Sequence, residues 1–288
     1  MLDQYQSVFA SDYHSVAFKL ANNCPICEGE GTPLGDAASI DKNKSLKIKL
    51  LSCSDCNHWW HNPLPVQECL NSLYEEGSNS VIGSGWSDAT KNDLSKPEKM
   101  LLALEKGYET KNYLEVGVGK ALLFNQFLSK GINCFGIELG QWGKNNPNIF
   151  PDLDDVPVSM QYDCMVAMDV LEHLSDPKVM LKKLSALANA KTRLYLSFPN
   201  NQSLRARFYK TKWRMILPYG HIHYFSYESA KKMLGDSGWK ITTAQKTDLY
   251  KYERLRKIRR LFKPNEWLKI MREYFGWGDQ WFITAEIL

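Results

Sequence analysis

Four cysteines, Cys24, Cys27, Cys53 and Cys56, form two C-x2-C knuckles with 25 residues between them. The two-residue spacing lets both thiolates of a knuckle reach one ion, and two knuckles complete a tetrahedral S4 set. Four sulfurs leave no open position, so the expectation is structural Zn2+ rather than a catalytic metal. His58 and His61 follow the second knuckle as alternative ligands, disfavoured because the sulfurs already close the site. Trp59 and Trp60 are expected to pack this module onto the rest of the chain. The module is not strongly basic, which argues against nucleic acid as its partner.

A second group lies in Leu114-Glu115-Val116-Gly117-Val118-Gly119-Lys120-Ala121, which joins an apolar strand to a helix. Gly117 and Gly119 let the backbone pass close beneath a ligand. Glu138 ends the next strand, 21 residues after Gly117. A carboxylate there can accept hydrogen bonds from both hydroxyls of an adenosine ribose. These features alone also fit a nicotinamide-dependent oxidoreductase. Three details point elsewhere. Leu122 stands where a G-x-G-x-x-G pattern needs a small residue for helix–strand contact. Glu115, two residues before the first glycine, suits a cationic amino-acid moiety. The strand Asp163–Met168 runs directly into Asp169-Val170-Leu171-Glu172-His173-Leu174.

Placing these residues requires alternating strands and helices. Pro97 suits the first turn of a helix running through Glu105. Strands are expected at Tyr113–Gly117, Ile132–Glu138, Asp163–Met168, Arg193–Phe198, Lys240–Thr247 and Phe282–Leu288, with a poorly marked one near Ile149 and Phe150. Helices are expected at Leu122–Leu128, Pro177–Ala188 and Tyr227–Asp236. This alternation predicts an α/β fold: a mostly parallel sheet with helices on both faces. The glycine-rich stretch around the knuckles reads as turns and short strands. Residues 1–76 are therefore assigned to an N-terminal zinc-binding module, 77–96 to a linker, and 97–288 to the α/β domain.

The net charge of +4 is unevenly spread. Tyr250 to Arg272 carries nine Lys/Arg against two Glu, and Arg205 to Arg214 carries five basic residues and no acid. No run of about 18 apolar residues exists, so no transmembrane helix is expected. The N-terminus lacks the basic start and apolar stretch of a signal peptide, which places the chain in the cytoplasm. Thiols stay reduced there, so seven cysteines imply a metal site and buried thiols rather than a disulfide framework.

The glycine turn, the stretch Val170 to Pro177, and Gly220-His221-Ile222-His223-Tyr224-Phe225-Ser226 together resemble class I S-adenosylmethionine-dependent methyltransferases. Ala121 replaces a glycine that many members carry. The cysteine module is similar to one preceding this domain in some bacterial enzymes that methylate sugars or other small metabolites. The resemblance covers roughly residues 97 to 288. It implies a Rossmann-like, doubly wound, seven-stranded sheet with an antiparallel terminal strand, preceded by a small zinc-ribbon-like domain. It further implies that Glu115 faces the methionine amino group, that Gly117 and Gly119 underlie the cofactor, and that Glu138 holds the ribose. Asp152 would bond the adenine amino group, although Asp152, Asp154 and Asp155 read equally as a solvated acidic loop. Met168 and Asp169 would stand at the mouth of the cleft.

A base is expected near the carboxyl ends of strands four and five. His173 is the first candidate, with pocket packing as the competing role. His221 and His223 follow; as alternate residues of an extended segment they point to opposite sides. Glu172 is read as a cap or an orienting group. A paired-histidine metal site lacks a carboxylate at suitable spacing.

The basic insertion 202–218 suggests a lid over an anionic acceptor, or a solvated helix. The second insertion, 249–280, has apolar residues at helical spacing that suit a lid or a homodimer contact. The leading expectation is transfer of a methyl group to oxygen or carbon of a small, anionic or nucleotide-linked sugar-like acceptor, without DNA. RNA or protein methylation, a nicotinamide-dependent oxidoreductase and a non-catalytic binding protein are the alternatives.

Overall fold

The knuckles sit in turns between short strands, as their glycine-rich surroundings require. The computed structural model describes residues 5–8, 16–37, 48–68, 70–71, 94–140, 145–217, 220–247 and 278–288. Strands β1 (Tyr5–Val8) and β2 (Val16–Lys19) lead to β3 (Gly31–Ala37), β4 (Ile48–Cys53), β5 (Trp59–Asn62) and β6 (Leu64–Pro65). β1, β2 and β6 form an antiparallel three-stranded sheet. β3, β4 and β5 form a second antiparallel sheet, and its remaining strand comes from far along the chain, as described below.

Helix α1 (Lys96–Glu105) opens at the place set by its sequence. Ser95 and Glu98 form a reciprocal capping box, with Pro97 in the first turn. The main sheet then builds from β7 (Asn112–Val116), α2 (Leu122–Leu128), β8 (Asn133–Ile137), β9 (Ile149–Phe150), β10 (Tyr162–Met168), α3 (Pro177–Ala186) and β11 (Ala188–Pro199). After the short helix α4 (Leu204–Tyr209) come β12 (His223–Tyr224), α5 (Tyr227–Gly235), β13 (Trp239–Thr247) and β14 (Gln280–Ile287). Helix α3 stops two residues before its expected end because β11 already begins at Ala188, which pairs with Tyr162.

The order across the sheet is β13-β14-β11-β10-β7-β8-β9, with β14 antiparallel to both neighbours. The fold is thus a Rossmann-like, doubly wound α/β sheet of seven strands. β7 and β10 lie at its centre and are largely buried on both faces, as central parallel strands are. From β7 the chain winds outward through β8 and β9, then returns to β10 on the opposite side of β7. That reversal opens a crevice at the carboxyl ends of β7 and β10, where ligands bind in such sheets.

β12 is the edge strand of the knuckle sheet. His223 pairs with Trp60 and Tyr224 with Trp59. The α/β portion therefore completes the N-terminal sheet. Trp60 and the cysteines share one continuous core with Leu171, Ile222 and Phe225. Trp59 meets Trp213 edge to face, so both tryptophans pack the module as their position beside the knuckle predicts.

Among the described residues no helix is long and apolar enough to cross a membrane. Residues 77–93 of the expected linker, residue 218 of the first insertion and residues 249–277 of the second lie outside the described residues.

Candidate functional site

The turn after β7 carries left-handed backbone at alternate positions: Gly117 (φ 75°), Gly119 (φ 51°) and Ala121 (φ 57°). Glycine meets this requirement without steric cost. Ala121, which precedes α2, takes the same conformation with a Cβ, at a cost of roughly 1–2 kcal/mol. Gly117 is exposed, so the turn faces open space.

Glu138 follows β8 and ties the turn in place. Its Oε2 accepts the Gly119 N–H at 2.7 Å and its Oε1 accepts the Gly140 N–H at 2.7 Å. Each carboxylate oxygen retains lone-pair capacity for a hydroxyl. A half-buried carboxylate fixed this way, beside an exposed glycine floor, fits the ribose and backbone contacts of an adenosyl ligand.

Glu115 lies on the inner side of the turn. It is buried, accepts the Tyr113 hydroxyl at 2.8 Å, and is also bonded by the Phe124 N–H. Burial pushes its carboxyl up to about 8. Met168 ends β10, and Asp169 follows in left-handed backbone (φ 57°). A non-glycine residue in that region is strained, a common feature of ligand clamps. Its Oδ1 accepts from Ser197 Oγ (2.9 Å) and Gln280 Nε2 (2.6 Å), anchoring it to β11 and β14. Asp152 is placed differently. It is exposed, caps the turn Leu153–Asp155 through the Asp154 N–H, and lies 3.5 Å from Lys183.

The knuckles converge as their spacing requires. Sγ of Cys24 lies 3.6 Å from that of Cys56, and Sγ of Cys27 lies 3.3 Å from those of Cys53 and Cys56. Four sulfurs about 2.3 Å from one zinc stand roughly 3.8 Å apart, so a small expansion admits the ion. The knuckles share one backbone design. Glu28 donates to the Cys24 carbonyl and Asn57 to the Cys53 carbonyl, and both donors are left-handed. Gly29 is required by close approach, because a Cβ there would stand 2.9 Å from the Cys53 sulfur. His58 and His61 are not part of the quartet. His58 Nε2 meets His223 Nδ1 at 3.1 Å, and His61 Nε2 meets the Tyr224 hydroxyl at 3.2 Å.

The three histidines proposed near the acceptor separate into two groups. His221 and His223 do point to opposite sides. His223 is fully buried against His58, between the knuckle sheet and the α/β portion. His173 and His221 stack edge to face, 4.8 Å apart. Burial depresses the pKa of all three, His221 and His223 to about 4. Glu172 joins His173 and His221, with their ligand-type atoms within 4.8 Å of one another. No sequence spacing marks this grouping; the fold brings the carboxylate to the His173–His221 pair. Nor does Glu172 act as a cap, since its carboxylate bonds no described residue. Glu172 and His221 are 49 residues apart in sequence and meet only because the Ile222 N–H bonds the Glu172 carbonyl at 2.8 Å.

One residue had no signal in sequence. Asp279, fully buried just before β14, holds the first basic insertion. Its Oδ1 accepts from Ser203 Oγ (3.0 Å) and Trp213 Nε1 (3.2 Å), and its Oδ2 from Arg205 (2.8 Å) and Arg214 (2.9 Å). Two of the insertion's five cations are thus spent on an internal anchor. Arg205 and Arg207 flank a surface groove of about 620 Å³ with Leu204, Phe208 and Tyr209.

No curated protein matches the chain. A solved structure of the Burkholderia thailandensis 1,6-didemethyltoxoflavin-N1-methyltransferase, holding 1,6-didemethyltoxoflavin and S-adenosylhomocysteine, is similar. Its TM-score is 0.54 at 12% identity, covering 88% of this chain and 99% of that one. A Clostridium acetobutylicum S-adenosylmethionine-dependent methyltransferase gives a TM-score of 0.46 at 11% identity, covering 70% and 96%. The sequence profile described as "Methyltransferase domain" matches residues 91–244, which span the glycine turn, Glu138 and the end of β10. With that profile covering more than half its length, the chain belongs to the methyltransferase-domain family of class I, S-adenosylmethionine-dependent proteins.

Proposed function

We propose that the chain transfers a methyl group from S-adenosylmethionine to a small, anionic acceptor. The observation that carries the reading is the meeting of the exposed Gly117 turn, the Glu138 carboxylate and strained Asp169 at the reversal point of the sheet. The donor supplies a methyl carbon on a cationic sulfur with a good leaving group already in place. The chain then has to hold donor and acceptor in line and keep water out. In the proposed arrangement Glu138 accepts the ribose hydroxyls, and Gly117 and Gly119 let the backbone approach. Glu115, buried and bonded to the Tyr113 hydroxyl, supports the turn from beneath, and Met168 and Asp169 border the transferred methyl.

The buried histidines serve as walls of the acceptor side rather than as open bases. Arg207, Lys210 and Lys212 give the acceptor its negative charge preference, as Arg205 and Arg214 are engaged by Asp279. The similar Burkholderia protein acts on a small heterocycle, which supports a small-molecule acceptor. The four cysteines are proposed to hold structural zinc, and six described cysteines without a disulfide suit a reducing compartment such as the cytoplasm.

Incubation with methyl-labelled S-adenosylmethionine tests this reading. The acceptors are a panel of anionic heterocycles, hydroxy acids and nucleotide-linked sugars, set beside RNA and protein extracts. Label is expected in the small-molecule fraction. Label confined to RNA or protein contradicts it.

A further inference from the structure

Glu172 is 0% exposed, yet neither carboxylate oxygen has a hydrogen-bond partner among the described residues. Buried carboxylates are ordinarily paired or bound to a cation. His221 Nε2 stands 4.0 Å from Oε1. That separation is too long for an O–H···N bond. Protonation therefore leaves the group as unsatisfied as ionisation does.

The imidazoles beside it are oriented for a third possibility. His221 Nδ1 lies 3.0 Å from the Met215 carbonyl, and His173 Nδ1 lies 2.7 Å from the Gly220 carbonyl. A carbonyl only accepts, so Nδ1 carries the proton in each ring. The Nε2 of each neutral ring is then a nitrogen of ligand type, and that of His221 lies toward Glu172. Metal-ligating histidines are usually fixed this way, with the second ring nitrogen donating to a carbonyl or carboxylate.

We propose that Glu172, His173 and His221 bind a divalent first-row transition-metal ion of the zinc or ferrous type, separate from the cysteine site. The ligand set is two imidazoles and one carboxylate, which in known sites leaves coordination positions open. The three ligand atoms lie within 4.8 Å of one another. Neighbouring ligands on an ion at about 2.1 Å stand roughly 3–3.5 Å apart. A buried carboxylate without a partner, beside two imidazoles, favours a cation that draws the three groups inward. The scaffold holds the ligands in register from two directions. The Ile222 N–H bonds the Glu172 carbonyl, and the Tyr224 hydroxyl donates to the His221 carbonyl at 2.6 Å. The ligand set contains no sulfur, so its cobalt spectrum differs from that of the cysteine quartet.

Loading the full chain with Co2+ tests the proposal, with ions per chain counted by elemental analysis and visible spectra recorded. Two ions are expected: one with sulfur-to-cobalt charge-transfer bands, the other showing only weak d–d bands. Glu172→Gln and His221→Ala each lower the count from two to one and keep the sulfur bands at full intensity, which shows that the fold survives. Cys53→Ser removes the sulfur bands. A single ion in the unaltered chain, or a second ion retained in both Glu172→Gln and His221→Ala, overturns the proposal. The ion count does not depend on donor binding, so its failure is distinct from failure of the methyl-transfer reading.

Discussion

Glu115 is a carboxyl whose surroundings oppose its charge. Burial raises it to about 8, against an ordinary 4.5, although the Tyr113 hydroxyl and the Phe124 N–H favour the ionised form. Between those two values the folded chain keeps a proton that the unfolded chain has lost. Stability from this group is complete below pH 4.5 and is lost as pH rises through 8. The full penalty is roughly 4–5 kcal/mol. Glu115→Gln keeps the acceptor oxygen for Tyr113 and removes the titration. In urea unfolding the variant should gain several kcal/mol on the parent between pH 5 and pH 8.5; a difference that does not change with pH counts against the assignment. At this scale the glycine turn was legible, because left-handed backbone selects glycine at 117 and 119. The meeting of Glu172 with His221 was not legible, because no local spacing joins the two.

Helix α1 is joined to the sheet by a buried ion pair. Glu105, its last residue, takes Arg193 Nε at 2.7 Å on Oε1 and Nη2 at 3.0 Å on Oε2. Tyr195 and Thr110 hydroxyls complete the carboxylate at 2.6 and 2.5 Å, and the guanidinium lies over the Tyr108 ring. Such a pair adds little net stability over apolar packing, but removing one partner strands the other. Glu105→Ala should cost about 3–5 kcal/mol in urea unfolding, and a Glu105→Leu, Arg193→Met pair should recover much of it. A loss below about 1 kcal/mol for the single change would show that Arg193 finds water instead. Most elements were readable because apolar period and caps agree, as at Ser95 and Pro97. β9 was faint because two paired residues carry almost no periodic signal. The end of α3 was overrun because Ala188 suits a helix, yet it pairs with Tyr162.

Across the whole molecule, the cysteine module and the α/β portion share structure. β12 closes the knuckle sheet, the Ser226 hydroxyl donates to the Cys56 carbonyl, and Asn201 donates to the Asn57 carbonyl at 2.7 Å. Metal bound at the cysteines would therefore stabilise residues 220–226 as well. Cys53→Ser or chelation should raise amide exchange in both 24–56 and 220–226; faster exchange confined to 24–56 would show that the two act separately. This sharing could not be read from sequence, because pairing of β5 with β12 spans about 160 residues and leaves no local mark.

The account rests most heavily on recognition of the adenosyl group by the turn after β7 and by Glu138. Calorimetric titration of the full chain with S-adenosylhomocysteine measures this directly. One site per chain is expected, with binding at least tenfold weaker in Glu138→Ala, about 1.4 kcal/mol or more. Absence of binding at millimolar ligand, or equal affinity in the variant, would contradict it.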